Sequence, residues 1–282
     1  MKKMINKTRL YISLTIAKGA IFFLRLFGTG GTSLPGKLAL MLYPDILKIL
    51  ADQYKIILVT GTNGKTTTSR IIEQILADNH VLYTSNRSGA NLISGLATTL
   101  ISDVKINSTA RSKTALLEVD EAAFRVASGY IKPSILVVTN FFRDQLDRYG
   151  ELYSTLNAVK EGISNIPDTT LILNADDSLC ASLGNDVPNQ VIYYGLEASA
   201  ISDDNRLSLN NDASFCLYCM SKYEYEFRSY GHLGHFKCPE CGYSRPEALI
   251  QVSKIPSMSG SFSRAVFSTP TGTFSTQINL PG

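Results

Sequence analysis

Residues 61–67 read Gly61-Thr62-Asn63-Gly64-Lys65-Thr66-Thr67, a run suited to holding phosphate when it lies between an apolar strand and a helix. Successive backbone N–H groups and the helix N-terminus face the anion, and glycine lets the main chain come close. In that chemistry Lys65 neutralises β/γ-phosphate charge and the Thr66 hydroxyl helps to hold Mg²⁺. The common template has Gly five residues before Gly64, where this chain has Val59, so the loop keeps the Gly-Lys-Thr core without the full pattern.

A second chemistry is written in the cysteines. Four of the five fall as Cys216-x2-Cys219 and Cys238-x2-Cys241, with 18 residues between the pairs, and Cys180 stands alone. An odd, clustered set argues against a secreted disulfide framework and for a metal site in a reducing compartment. The spacing suits structural Zn²⁺ held by four thiolates, with no coordination position open for catalysis. A redox dithiol pair is the alternative. His232 and His235 are substitute ligands or loop residues. The aromatic-rich segment between the pairs is too small for a core of its own, so zinc would supply folding energy.

The elements that must position these groups follow from periodicity. Lys55–Thr60 is a short apolar run, and 65–79 carries Ile71, Ile72, Ile75 and Leu76 at helical spacing, giving strand, turn and helix. The alternation continues with strands near 81–84, 114–119, 134–139, 170–173 and 191–194. Helices are expected near 91–102, 121–130, 145–166 and 177–183. Six apolar strands separated by helices predict an α/β, doubly wound, mostly parallel sheet, with ligands beyond the carboxyl ends of the strands. Glu118 and Asp120 share one face at such an end beside the phosphate loop. Glu118 is the favoured Mg²⁺ ligand, with Asp120 or Glu121 as a helix cap.

Beyond residue 194 the texture changes. A polar stretch, 199–214, leads into the cysteine module at about 211–248, and from about 251 the pattern is β again, with Thr269-Pro270-Thr271-Gly272 as a hairpin turn. Residues 1–54 form an N-terminal helical segment and 55–282 the ATP-binding domain with its inserted ribbon.

Composition sets the limits. The 282 residues are 44% hydrophobic and 18% charged, ordinary for a globular chain and unlike disorder or collagen. Twenty-seven Lys and Arg against 24 Asp and Glu leave +3, too little to suggest a nucleic-acid partner. Near the N-terminus, Lys18 and Arg25 interrupt the apolar stretch 10–27, which argues against a signal peptide or a membrane span. That leaves an amphipathic helix docked on the domain or on a partner, or one lying on anionic lipid.

Thr60–Thr68 resembles the ATP-binding loop of the Mur ligases and the related folylpolyglutamate synthases. Leu117-Glu118-Val119-Asp120-Glu121 sits where that family places a magnesium-binding glutamate. Val138-Thr139-Asn140, the segment Asp144-Gln145-Leu146-Asp147, Asn174-Ala175-Asp176-Asp177 and Tyr194-Gly195 resemble further family motifs. The resemblance implies ATP and Mg²⁺ as cofactors, with Lys65 and Glu118 catalytic and Gly61–Thr67, Asn140 and Asn174 at the nucleotide. Gln145 stands where amino-acid-adding members carry His, and it is a poorer ligand for a second metal.

The inserted ribbon, and the mere 54 or so residues before the loop strand, are similar to the ligase-like subunits of lipid II isoglutaminyl synthases within that family. This implies ATP-dependent activation of the D-isoglutamate α-carboxylate of lipid II as an acyl phosphate. No cysteine here has a glutaminase setting, and the resemblance implies a separate GatD-type glutaminase as the source of ammonia. The expected location is cytoplasmic, peripheral at the inner face of the membrane. Leu280-Pro281-Gly282 resembles the link to the family's C-terminal domain, so on this reading the 282 residues do not ligate alone. The rivals are another Mur or folylpolyglutamate-type amino-acid ligase and a non-catalytic ATP-binding zinc scaffold.

Overall fold

Three helices precede the first strand in the computed structural model, which describes residues 2–28, 33–86, 90–142, 151–200, 214–258 and 262–278. Helix α1 (Lys2–Leu26) buries Leu10, Leu14 and Ala17, at the spacing of one helical face. Helix α2 (Leu34–Leu42) starts with Pro35 in its first turn, where a missing N–H costs nothing, and α3 is Ile46–Ala51. Side-chain hydrogen bonds clamp α1 down: Ser13 Oγ donates to Ala39 O at 2.9 Å, Lys18 Nζ to Ile101 O at 2.8 Å and Val104 O at 2.6 Å, and Arg9 Nη2 to Leu42 O at 3.3 Å.

The chain divides into two compact units, 1–139 with 153–169, and 140–152 with 170–282. In the first, β1 (Lys55–Thr60) leads through α4 (Lys65–Asp78) to β2 (Tyr83–Ser85). Helix α5 (Ile93–Asp103) leads to β3 (Thr114–Glu118), α6 (Glu121–Ala127) to β4 (Ile135–Val138), and α7 (Glu151–Ser164) follows. The strands lie in the order β4-β1-β3-β2, all parallel. Since β1 to β2 and β2 to β3 run in opposite directions across the sheet, right-handed crossovers put α4 and α5 on opposite faces. Ile56, Leu58, Leu116, Leu117, Leu136 and Val138 form the buried strand core.

In the second unit β5 (Thr170–Asn174), α8 (Ser178–Ser182) and β6 (Val191–Leu196) precede the cysteine module. The module's hairpin is β7 (Glu224–Tyr230) with β8 (Leu233–Lys237). Strands β9 (Ile250–Met258), β10 (Ser263–Thr269) and β11 (Gly272–Ile278) follow. β6 pairs in parallel with β5 and β9, whereas β9-β10-β11 is an antiparallel meander. The sheet is thus mostly parallel α/β, as its apolar runs predicted, and the hairpin expected at 269–272 joins β10 to β11. Of the long helix anticipated from 145 to 166, residues 151–164 are helical and 145–150 lie outside the described residues.

Candidate functional site

The turn after β1 supplies the first site. Gly61 and Gly64 hold φ of +119° and +80°, values that L side chains rarely adopt, and a Cβ at Gly64 would meet open space. Two glycines therefore set the turn and leave room above it. Lys65 folds back over the loop. Its Nζ donates to Gly61 O at 2.5 Å and Thr62 O at 3.2 Å, and pairs with Glu121 Oε2 at 3.4 Å, where Glu121 is only about one-tenth exposed.

Thr66 and Glu118 meet across the head of α4. The Thr66 hydroxyl lies 3.0 Å and 3.2 Å from the two carboxylate oxygens of Glu118, which ends β3. Oxygen donors of this kind, at the start of a phosphate-loop helix, suit a hard divalent cation. Asn86, not singled out by its sequence context, fixes the end of β3. Its Nδ2 donates to Glu118 O at 2.7 Å while its Oδ1 accepts from Glu118 N at 2.8 Å. Asp120 is committed elsewhere: its carboxylate caps α6 by accepting from Ala122 N and Ala123 N. The two acids that share a strand face thus divide, Glu118 toward the loop and Asp120 toward the helix start.

Thr139 closes the loop from β4, its hydroxyl donating to Asn63 O at 2.7 Å. Thr62 and Asn63 lie on the turn and Thr67 in the exposed first turn of α4. A cavity of about 560 Å³ opens beside Thr66 and Glu118, with Arg70, Glu73 and Asn86 in its wall. Asn140 and Asn174 belong to the second unit. Asn174 is buried and its Oδ1 accepts from Asp176 N at 3.0 Å, opening the turn into α8. Asp144, Gln145, Asp147 and Leu280–Gly282 lie outside the described residues.

The second site is the cysteine quartet. The four Sγ atoms of Cys216, Cys219, Cys238 and Cys241 lie within 4.8 Å of one another, and none is in a disulfide. Cys219 and Cys238 Sγ lie 3.3 Å apart, and Cys216 and Cys241 Sγ 3.5 Å apart. Tetrahedral Zn–S bonds of about 2.3 Å put sulfurs about 3.8 Å apart, so the quartet fits that ion.

Both pairs close with the same turn. Met220 N donates to Cys216 O at 2.9 Å and Gly242 N to Cys238 O at 3.2 Å, with φ of +63° and +77° at the two turn residues. Met220 is not a glycine, so its left-handed backbone costs about 1 kcal/mol and must be held by its surroundings. Bonds from the side chain and backbone of Ser221 draw the Cys219 thiol down to about 6. At Cys241 the Tyr243 amide pulls downward, but burial and the neighbouring thiols outweigh it and push that group up to about 12. Four crowded sulfurs cannot all carry charge unless a cation joins them.

His232 and His235 are not among these ligands in the described residues. His235 sits in β8 rather than in a loop, with Nε2 2.8 Å from Leu196 O. His232, at the hairpin turn, is buried against the Phe142 ring and 3.6 Å from Asp177. Cys180 is fully buried in α8, where desolvation raises its thiol pKa well above the ordinary value, so it makes no nucleophile.

The ribbon is anchored on α8 and β5–β6 by aromatic and polar contacts. Tyr223 and Phe236 bury against Ala181, and the Tyr243 hydroxyl donates to Ser178 O at 2.6 Å. Arg245 Nε reaches Asp176 Oδ1 at 2.7 Å. A Cβ on Gly195 would strike both the Arg245 head and the Asp176 carboxylate, which explains why the strand has glycine there.

Residues 59–238, nearly two-thirds of the chain, match the Mur ligase middle domain. The chain belongs to the Mur ligase family. It is 37% identical over 90% of its length to the Streptococcus pneumoniae "Lipid II isoglutaminyl synthase (glutamine-hydrolyzing) subunit MurT", covering 56% of that protein. Against the MurT subunit of Staphylococcus aureus strain COL it is 36% identical over 87% of its length, covering 54%. The chain therefore spans about half the length of these curated relatives. In fold it resembles MurF from Acinetobacter baumannii, with a TM-score of 0.58 at 17% identity over 87% of this chain and 42% of that one.

Proposed function

We propose that this chain is the nucleotide-binding and zinc-bearing portion of a ligase subunit that activates the D-isoglutamate α-carboxylate of lipid II for amidation. The observation that carries the reading is the meeting of the Thr66 hydroxyl and the Glu118 carboxylate, 3.0 Å apart at the head of the phosphate-loop helix. The likeness to MurT subunits of lipid II isoglutaminyl synthases supports the choice of substrate. The reaction begins when an oxygen of the substrate carboxylate attacks the γ-phosphorus of ATP. The bond to ADP breaks and an acyl phosphate forms. Ammonia from a GatD-type glutaminase then attacks the acyl carbon, inorganic phosphate leaves, and the nitrogen loses a proton. The setting is cytoplasmic, at the inner face of the membrane.

Each residue has a role in that sequence. The amides of 61–65 and the N-terminus of α4 cradle the phosphates, and the family resemblance makes Asn140 and Asn174 nucleotide contacts. Lys65 exchanges loop carbonyls for β/γ-phosphate oxygens while Glu121 remains its counter-ion. Such fixed charges stabilise the transferring phosphoryl group without reorganisation. Thr66 and Glu118 would hold Mg²⁺, which when bound neutralises developing charge on the phosphates. Asn86 keeps Glu118 in register, and the cavity beside them gives the stem peptide room to approach. Cys216, Cys219, Cys238 and Cys241 would hold structural Zn²⁺.

Calorimetric titration of the chain with ATP and Mg²⁺ tests the reading, followed by glutamine-dependent amidation of lipid II with a glutaminase subunit present. Lys65→Ala is expected to weaken ATP at least tenfold, about 1.4 kcal/mol. A parent protein that takes up no ATP, or a Lys65→Ala protein that binds it equally well, overturns the proposal.

A further inference from the structure

Helix α1 keeps a second face that the other described residues leave exposed. Its inner face is fixed by Leu10, Leu14 and Ala17 and by the bonds from Ser13 and Lys18, so the helix cannot roll. On the other side Ile12, Ile16, Phe22, Phe23, Leu26 and Phe27 stand out, Phe22 being 64% exposed, Leu26 68% and Phe27 75%. At 100° per residue these six fall within about 140° of the helix circumference.

The charges around this stripe are one-sided. Arg9 flanks one edge, Lys7 and Arg25 flank the other, and all three are exposed. Residues 1–44 contain seven Lys or Arg and no Asp or Glu. The remaining 20 basic and 24 acidic residues leave the rest of the chain at −4, so the surplus positive charge is concentrated in this segment. No helix of the described residues is long and apolar enough to cross a membrane.

We propose that α1 lies in the plane of an anionic lipid surface, with the Phe22–Phe27 end of its outer face dipped below the headgroups and its basic edges on lipid phosphates. An apolar stripe between basic margins is the pattern of an interfacial helix. Pairing this face with a second copy of the chain would oppose two strongly positive segments, so lipid is the better occupant. The inference is independent of the ligase reading, because vesicles without any lipid-linked peptide test it.

The chain is sedimented with phosphatidylglycerol/phosphatidylcholine vesicles and with phosphatidylcholine alone. Binding is expected to need phosphatidylglycerol and to fall as salt rises. Phe22→Ser/Phe23→Ser should weaken it at least tenfold, and Arg25→Gln about fivefold, with helical content and melting unchanged because these residues are exposed. The chain has no tryptophan, so Phe23→Trp reports depth directly. Its emission should shift to the blue on anionic vesicles and be quenched by brominated lipid, whereas Ile106→Trp, on an exposed loop, should not respond. The proposal is overturned by failure to sediment with phosphatidylglycerol, by a double serine variant that binds like the parent, or by an unresponsive Trp at 23. Self-association abolished by the serine variant, without vesicle binding, would instead assign the face to a second copy.

Discussion

Arg245 Nε and Asp176 Oδ1 lie 2.7 Å apart across a link of 69 residues, with side chains 12% and 8% exposed. Asp176 follows β5 and Arg245 follows the last cysteine of the ribbon, so one ion pair joins the metal module to the turn that carries Asn174. The second Asp176 oxygen accepts from Leu196 N at 2.8 Å, and the Asp176 carbonyl accepts from Gly234 N at 2.8 Å. Strand, helix start and hairpin are thus fixed to a single residue. The geometry of the ribbon and that of the Asn174–Asp177 turn are not independent.

Arg245→Ala leaves the Asp176 carboxylate buried without its cation, which costs about 3 kcal/mol or more. Urea unfolding should show that loss. The double variant Asp176→Asn/Arg245→Met should recover part of it, since a missing pair is less costly than a broken one. Gly195→Ala should destabilise in the same direction but by less, because its Cβ would crowd Arg245 Nη2 and Asp176 Oδ1 and force the pair to shift rather than remove it. Additive single losses in the double variant would show that the two residues do not interact.

The Thr66–Glu118 relation makes a different prediction, since Thr66 is exposed and its contact holds nothing else in place. Thr66→Val and Glu118→Gln should leave melting within about 0.5 kcal/mol of the parent. Each should weaken Mg²⁺-dependent ATP binding about tenfold, with little change to binding measured in EDTA. A loss of equal size with and without Mg²⁺ would place both residues on the nucleotide rather than on the metal.

What could be read in advance was local. The phosphate loop, the α/β alternation and the two Cys-x2-Cys turns depend on neighbours in sequence, and so does the capping acid Asp120, just before its helix. The partners of these residues were hidden because they come from afar. Glu121 behind Lys65 lies 56 residues away, Asn86 is 32 from Glu118, and Arg245 is 69 from Asp176. Nothing near Asn86 in the chain distinguishes a loop amide from one that brackets a strand end. Gly195 was visible only as part of a Tyr-Gly motif, and its reason is the guanidinium packed over it.

Metal removal separates the ribbon from the rest of the fold. Protein prepared under reducing conditions should contain about one zinc per chain. Cys238→Ser should lose it, because three thiolates form a much weaker structural site. The loss should expose Tyr223 and Phe236 and increase proteolysis within 214–248, while the α/β core stays folded. Zinc far below one equivalent in the parent would contradict the four-thiolate site.

Alkali should attack the same region first. Burial pushes the Tyr193 hydroxyl up to about 12, with Cys180 and Tyr218 adding to the effect. Burial likewise takes Tyr225 to about 12, although Arg228, 4.0 Å from its ring, pulls the other way. Tyr243 is raised further, again chiefly by burial. In the unfolded chain these groups ionise near 10, so the folded state holds their protons more tightly. Their contribution is complete below about pH 10 and is lost as pH rises from there through 12. Absorbance at about 295 nm should therefore show a late tyrosinate fraction that appears together with unfolding of the ribbon. Tyr193→Phe should retain more stability than the parent between pH 10 and 12, because it removes a group that cannot ionise in place. If all tyrosines titrate in one step near 10 while the protein stays folded, these hydroxyls are solvated and the ribbon does not pack on α8 as described.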